Sequence, residues 1–274
     1  MTTNQKRWAM LGAGALLASG ALAACGQSAP ADTPSAEPAN VSDDTGETRL
    51  DGLVADAGEA GEGYGGEGGE GGEAGHGDIG DLAIEKRVAF MSGHVAAGLA
   101  LYRAGAPEQA APHLLHPVSE AYVHEREGLD ALGFNSEPFE AVSTALEEGR
   151  PASEVEPLLA EAEQNMADVR AQAGGDPAEV IAYLMDTVAA EYSIGVSEGE
   201  ITDPGEYQDA YGFAVVALDI ARGIGTEASA DTVSALETLV AMWPGAAPMQ
   251  DQTPPPVSEI VSQASEVTLG LSEL

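Results

Sequence analysis

Residues 84–103 read IEKRVAFMSGHVAAGLALYR, and the helical character of the chain is clearest in this segment. Its large apolar side chains recur every three or four residues, at Ile84, Val88, Met91, Val95, Leu99 and Tyr102. Because an α-helix completes a turn in about 3.6 residues, this spacing lines them up along one helix face. Gly105 then interrupts the pattern, as glycine commonly does just after a helix. The segment therefore predicts an amphipathic helix of about five turns.

Signals for the start of further helices recur beyond this segment. Proline is tolerated in a first helical turn because its missing N–H would have no partner there, and a preceding Asp or Ser can cap free donors. Such starts occur at Ala106-Pro107, His116-Pro117, Ser136-Glu137-Pro138, Asp176-Pro177, Asp203-Pro204 and Pro254–Pro256. Runs rich in Ala, Leu and Glu separate them, without alternating strand patterns. We predict an all-α fold, a bundle of about eight helices over residues 81–274.

Two parts of this region resemble each other. Val95-Ala96-Ala97 is echoed by Val188-Ala189-Ala190, and Glu120-Ala121-Tyr122 is echoed by Asp209-Ala210-Tyr211. These echoes predict that the bundle consists of two related halves.

The composition excludes several classes of function. The chain has 274 residues with 46 acidic and 10 basic side chains, a formal net charge of −36. Binding to nucleic acid or to anionic lipid by a basic surface requires clustered Lys and Arg, so neither is expected. The sequence contains no Gly-rich phosphate loop and no Gly-x-Ser-x-Gly elbow, and we do not expect an enzyme. The acidity suits a saline habitat or bound cations, and both interpretations stay open.

Residues 1–24 have the features of a secretion signal. Lys6 and Arg7 give a positively charged start, and an apolar run over residues 8–22 follows. This run is short for a membrane span and typical of a signal peptide.

The signal ends in Leu22-Ala23-Ala24-Cys25, which contains the single cysteine of the chain. These residues resemble a bacterial lipobox, which implies cleavage before Cys25 and lipid on its sulfur. The residue after the cysteine is Gly26 and not Asp. In lipoproteins of double-membraned bacteria, the lack of Asp at this position permits export to the outer membrane. The resemblance implies a lipid-anchored protein of the cell envelope, on the outer membrane and facing the periplasm.

Residues 25–80 are rich in glycine and acidic side chains and poor in aliphatic ones. Such a segment cannot bury enough apolar surface to offset the entropy lost on ordering. We predict a disordered tether that lifts the helical domain, residues 81–274, off the lipid surface. The alternative is loose capture of hard cations by the spaced carboxylates, aided by His76.

Histidines are concentrated in the first helices, where four of the five lie between residues 94 and 124. If a helix starts at Pro117 and runs to about Leu132, one face of it carries a row of His and Glu side chains, each about one turn from the next. His113 lies one turn before this row, and His94 on the preceding helix could complete a set. The candidate metal ligands are His94, His113, His116, Glu120, His124 and Glu127.

Imidazole with carboxylate ligands suits an iron, zinc or copper ion. The same row is also typical of an ordinary solvated helix face. The sequence leaves both interpretations open.

Two families carry motifs like those in this chain. Tyr192–Ile201 and Asp203–Ala210 resemble the extracytoplasmic helical region of bacterial iron permeases of the Ftr type, with Glu206 and Tyr207 at the most characteristic positions. The segment His116-Pro117-Val118-Ser119-Glu120 is similar to the His/Glu motif of imelysin-like periplasmic iron-uptake proteins, although the spacing is four residues instead of three. These resemblances imply an accessory role in metal uptake beside an envelope transport protein.

Two hypotheses therefore stand at the level of sequence. The first is a lipid-anchored helical protein that binds a metal cation for uptake. The second is a non-catalytic interaction module whose stacked helical hairpins present a protein-binding surface.

Overall fold

A computed structural model describes residues 79–123 and 126–274, and nine α-helices account for most of them. The predicted all-α fold class is confirmed, with nine helices in these ranges where about eight were expected. The predicted signal peptide, Cys25, His76 and nearly all of the predicted tether lie outside the described residues. The relation between two halves stays a prediction.

The helices of the described part are α1 (Ile84–Arg103), α2 (Pro107–His116), α3 (Arg126–Ala131), α4 (Glu137–Glu147), α5 (Ala152–Ala173), α6 (Pro177–Gly195), α7 (Pro204–Ile224), α8 (Ser229–Val240) and α9 (Val257–Gly270). A π-helical turn, Pro117–Tyr122, follows α2, and short 3-10 turns lie at Ile79–Asp81 and Leu271–Glu273. Two antiparallel strands of two residues each, β1 (Val196–Ser197) and β2 (Glu200–Ile201), connect α6 to α7.

The starts of α6 and α7 are capped as the sequence predicts. The Asp176 carboxylate accepts the N–H of Ala178 at 2.9 Å, and the Asp203 carboxylate accepts the N–H of Gly205 at 3.0 Å. Each carboxylate thus satisfies a backbone donor that has no partner inside the helix.

The predicted cap at Ser136 is wrong. The Ser136 side chain makes no capping bond, and its backbone is already helical with φ −72° and ψ −26°. The side-chain oxygen of Asn135 accepts the N–H of Glu137 at 3.2 Å in its place.

Helix α1 is the central helix of the described bundle. Its predicted apolar stripe is buried at Val88, Met91, Val95 and Leu99. The opposite side is buried as well, because α2, α5 and α7 all pack against α1. A polar residue in the middle of this helix, such as His94, is therefore held inside the protein.

Two glycines allow α1 and α7 to approach closely. A Cβ atom at Gly212 would lie 2.1 Å from the carbonyl oxygen of Gly93, far inside van der Waals contact. A Cβ atom at Gly93 would lie 2.0 Å from a ring carbon of Phe213. Glycine at both positions therefore sets the separation of the two helices.

We predict that Gly212→Ala destabilises the fold. The added methyl meets backbone, which cannot rotate away, so overpacking of about 1–3 kcal/mol should outweigh the gain of about 1 kcal/mol in helix propensity. Gly223→Ala, on the same helix with nothing within 4 Å of the new methyl, is the matched control and should be neutral or stabilising. Urea unfolding measures both, and equal stability of the two variants would contradict this account of the α1–α7 contact.

Candidate metal centre

Helix α2 and the turn after it place two histidines and a glutamate on one side. The prediction that a new helix starts at Pro117 is wrong: α2 runs through His116 and continues into the π-helical turn Pro117–Tyr122. Proline has no N–H to donate to the carbonyl one turn earlier, so the α-helical hydrogen bond is missing at this position. The helix widens into a π-helical turn there and does not end. His113 and His116 therefore lie on α2, and Glu120 lies in the π-helical turn just beyond.

Three helices bring four ligand-type side chains together in the interior. His94 comes from α1, His113 and His116 from α2, and Asp209 from α7. Each offers one nitrogen or oxygen atom, and these four atoms all lie within 4.8 Å of one another. We call these four residues the His3Asp centre.

The Asp209 carboxylate is the point at which the histidines meet. Its Oδ1 atom lies 2.7 Å from Nδ1 of His94 and 2.8 Å from Nδ1 of His113, and Oδ2 lies 3.8 Å from Nδ1 of His116. Nδ1 of His116 in turn lies 3.2 Å from Nδ1 of His94. All three histidines thus turn the same ring nitrogen toward one small volume.

Burial shapes the charge state of this group. Burial alone would raise the pKa of Asp209, but the adjacent His113 and His94 outweigh it and hold that pKa well below its usual range. Burial likewise acts to lower the pKa of His94 and His113, yet the Asp209 carboxylate raises both above the ordinary value. For His116 burial prevails, and together with the charge of His94 it lowers the pKa to about 4.

Glu120 completes the centre on its more open side. Its Oε2 lies 3.2 Å from Nε2 of His94, and its Oε1 lies 3.6 Å from Nδ1 of His116. The side chains of His116 and Glu120 are 25% and 29% exposed, against 5% or less for His94, His113 and Asp209. An ion from solvent would therefore reach the centre past His116 and Glu120.

The outer ring nitrogens of His113 and His94 also face side-chain oxygens. Nε2 of His113 lies 2.7 Å from the side-chain oxygen of Gln208, and Nε2 of His94 faces Glu120. Histidines that bind metals typically donate their second ring N–H to such an acceptor, which leaves the first nitrogen free to bind. Four-coordinate zinc has bonds of about 2.0–2.2 Å, so its ligand atoms lie about 3.3 Å apart. The separations of the ligand atoms, from 2.7 Å up to 4.8 Å, span that value.

The outcome differs among the six metal ligands that the sequence predicted. His94, His113, His116 and Glu120 are brought together. Glu127 is exposed and is not part of the His3Asp centre, and His124 lies outside the described residues.

Sequence reasoning missed Asp209 and Gln208. Both lie in a run of α7 whose neighbours Tyr207, Ala210 and Tyr211 are buried, and both are themselves 3% exposed. Two polar residues among such apolar neighbours were the available signal, since buried polar side chains need partners.

A pair of acidic side chains, Glu191 buried and Glu206 half-buried, lies near Asp209. The Glu191 carboxyl on α6 and the Glu206 carboxyl at the start of α7 are hydrogen-bonded to each other. Burial, followed by the bond to its neighbour, raises the pKa of Glu206 to about 9. The pair therefore holds a proton at neutral pH.

We predict that the metal-free protein loses stability as the pH rises from 6.5 to 9. The pKa values of His94 and His113 are raised above 6.5 and that of Glu206 is raised from 4.5 to about 9, so the folded chain binds more protons than the unfolded chain in this window. Glu206→Gln should make the dependence shallower, and Glu200→Gln, at an exposed position on β2, should not. Urea midpoints measured in chelator test this, and a midpoint that rises with pH contradicts it.

Fold and site together define an all-α protein with a candidate metal centre. Residues 170–271 match the family model of the iron permease-associated 4-helix bundle domain. The match covers the end of α5 and all of α6 to α9, which is less than half of the chain, and it supports the resemblance to Ftr-type permeases. It includes Asp209 and excludes the three histidines of the centre.

No curated protein and no solved structure matches the chain. Among the described residues, none of the helices combines the length and the apolar character needed to cross a membrane.

Proposed function

We propose that this protein binds a divalent transition-metal ion, ferrous iron foremost, at the His3Asp centre and serves iron uptake at the cell envelope. The observation that carries the proposal is the convergence of three imidazole Nδ1 atoms on one buried carboxylate. The match of residues 170–271 to an iron permease-associated domain supports iron as the cargo.

The ligand chemistry favours a borderline transition metal over a hard cation. Imidazole nitrogen suits iron, zinc, copper and nickel, whereas calcium and magnesium take oxygen ligands. The carboxylates of Asp209 and Glu120 carry two negative charges, which balance a divalent ion beside three neutral imidazoles. A trivalent ion would leave an unbalanced charge in a buried site, which is costly.

The same proposal extends to the location of the protein. The lipobox-like residues Leu22-Ala23-Ala24-Cys25 support a lipid anchor at Cys25, and several acyl chains on one residue hold a protein stably at a bilayer. The acidic, glycine-rich tether would then let the helical domain reach an envelope transport protein. In this role the protein is a carrier and not an enzyme.

We predict that the full chain binds one Fe2+, Zn2+ or Cu2+ ion tightly and binds Ca2+ and Mg2+ weakly. His113→Ala and Asp209→Asn should each weaken the affinity at least tenfold, about 1.4 kcal/mol, because each removes a ligand. Anaerobic competition with a chromophoric chelator measures the affinity for Fe2+. Glu127→Gln changes an exposed carboxylate and should leave the affinity unchanged.

Thermal unfolding separates specific binding from screening of the large negative charge. A ligand at 100 times its Kd stabilises the folded state by about 2.7 kcal/mol, so Fe2+ or Zn2+ should raise the midpoint of the wild type well above that of Asp209→Asn. An equal rise with Mg2+, or an equal rise in both proteins, would contradict a built metal site.

A further inference from the structure

A chain of side-chain amides runs from the connection between α8 and α9 to His113. The backbone N–H of Gln250 points to the side-chain oxygen of Gln109 on α2, at an N···O distance of 3.4 Å. The Gln208 amide nitrogen donates to the same oxygen at 2.7 Å. The Gln208 oxygen then lies 2.7 Å from Nε2 of His113.

The Gln250 N–H decides which group donates in every hydrogen bond of this row of amides. A backbone N–H can only donate, so the Gln109 atom that faces it is the oxygen. The Gln208 atom that faces this oxygen must then be the NH2 group. The Gln208 oxygen is therefore left for His113, whose Nε2 must carry the proton.

The consequence falls on the inner nitrogen of His113. In the metal-free protein Nδ1 donates to the Asp209 carboxylate, which can only accept, so a metal ion has to displace that proton. The proton held on Nε2 is then the one that stays, and Nδ1 is left with a lone pair for the ion. Nδ1 is the atom that lies 2.8 Å from Asp209, inside the His3Asp centre. The amide chain thus selects the tautomer in which His113 can bind a metal.

We infer that Gln109 and Gln208 are positioning residues of the metal centre, and that Gln109 acts on it only through Gln208. This inference rests on the proposed function, because it concerns how the same centre binds its ion. Gln208 is 3% exposed, so its amide could not form a hydrogen bond with water if it lost its partner. Gln109 keeps that amide from rotating its NH2 group toward His113.

The network also joins three separate parts of the fold. Gln109 lies on α2, Gln208 lies on α7 beside Asp209, and Gln250 lies in the connection between α8 and α9. The Tyr211 hydroxyl donates to the carbonyl of Ala246 in that connection at 3.3 Å. The connection is therefore held against α2 at Gln250 and against α7 at Ala246.

The test measures the Zn2+ affinity of the full chain by chelator competition. Gln208→Leu should weaken it about 10- to 100-fold, as for other outer partners of metal-binding histidines. Gln109→Leu should weaken it about three- to tenfold, as expected for one lost hydrogen bond. Gln109→Glu, which keeps an acceptor oxygen, should restore the wild-type affinity.

The double variant separates positioning from general structural damage. If Gln109 acts through Gln208, Gln109→Leu/Gln208→Leu should bind Zn2+ within about twofold of Gln208→Leu alone. Gln263→Leu, which removes a half-buried amide on α9 that donates to the Ala235 carbonyl, is the matched control and should bind like the wild type. Circular dichroism and melting of the metal-free variants show that each is folded.

Each outcome bears on a different claim. Additive losses in the double variant, or no loss in Gln208→Leu with a wild type that binds Zn2+ tightly, would overturn this inference and leave the metal site standing. A wild type that fails to bind any transition metal would overturn the proposed function itself. A loss in Gln109→Glu equal to that in Gln109→Leu would show that the acceptor oxygen is not what matters.

Discussion

A carboxylate that is buried in a protein loses its hydration. Hydrogen bonds and opposite charges on neighbouring groups must compensate for that loss. Asp209 receives this compensation from His94 and His113, which contact the same oxygen from two different helices. The arrangement of α1, α2 and α7 depends on this shared contact. The close approach of α1 and α7 at Gly93 and Gly212 makes the contact possible, because both residues lie within a turn of the groups that meet.

The site is built across two parts of the chain. The segment that matches the iron permease-associated bundle supplies Asp209 and Gln208, and the helices before it supply the histidines and Glu120. Neither part holds the full ligand set. The proposed metal chemistry is therefore a property of the two parts together, and the four-helix segment by itself would offer mainly carboxylates.

Local sequence rules predicted most of the helices but only part of the site. The period of the apolar residues identified α1, and the Asp-Pro pairs identified the starts of α6 and α7, because these signals act within one turn of the chain. Pro117 does not start a helix, since a π-helical turn accommodates the missing N–H without ending the helical path of α2. The predicted start there placed Glu127 in one row with His116, whereas Glu127 is exposed and lies outside the His3Asp centre.

The apolar neighbours of Asp209 could mark it as a buried polar residue, but not as a partner of the histidines, because nothing local connects it to them. It lies 115 residues from His94 in sequence, and only the packing of α7 on α1 joins them. The histidine-rich segment was visible because His94, His113, His116 and Glu120 lie near one another in the chain. The amide chain from Gln250 to His113 was invisible for the same reason as Asp209, since each of its links crosses between helices or loops.

X-ray absorption at the metal edge tests the central claim most directly. In the full chain loaded with one equivalent of Zn2+ or Fe2+, the account predicts nitrogen and oxygen neighbours at about 2.0–2.2 Å and outer-shell scattering from three imidazole rings. Loading Asp209→Asn should disturb that pattern. A spectrum of oxygen neighbours alone, without imidazole scattering, would show that the ion rests on scattered surface carboxylates and that the histidines meet in the interior for another reason.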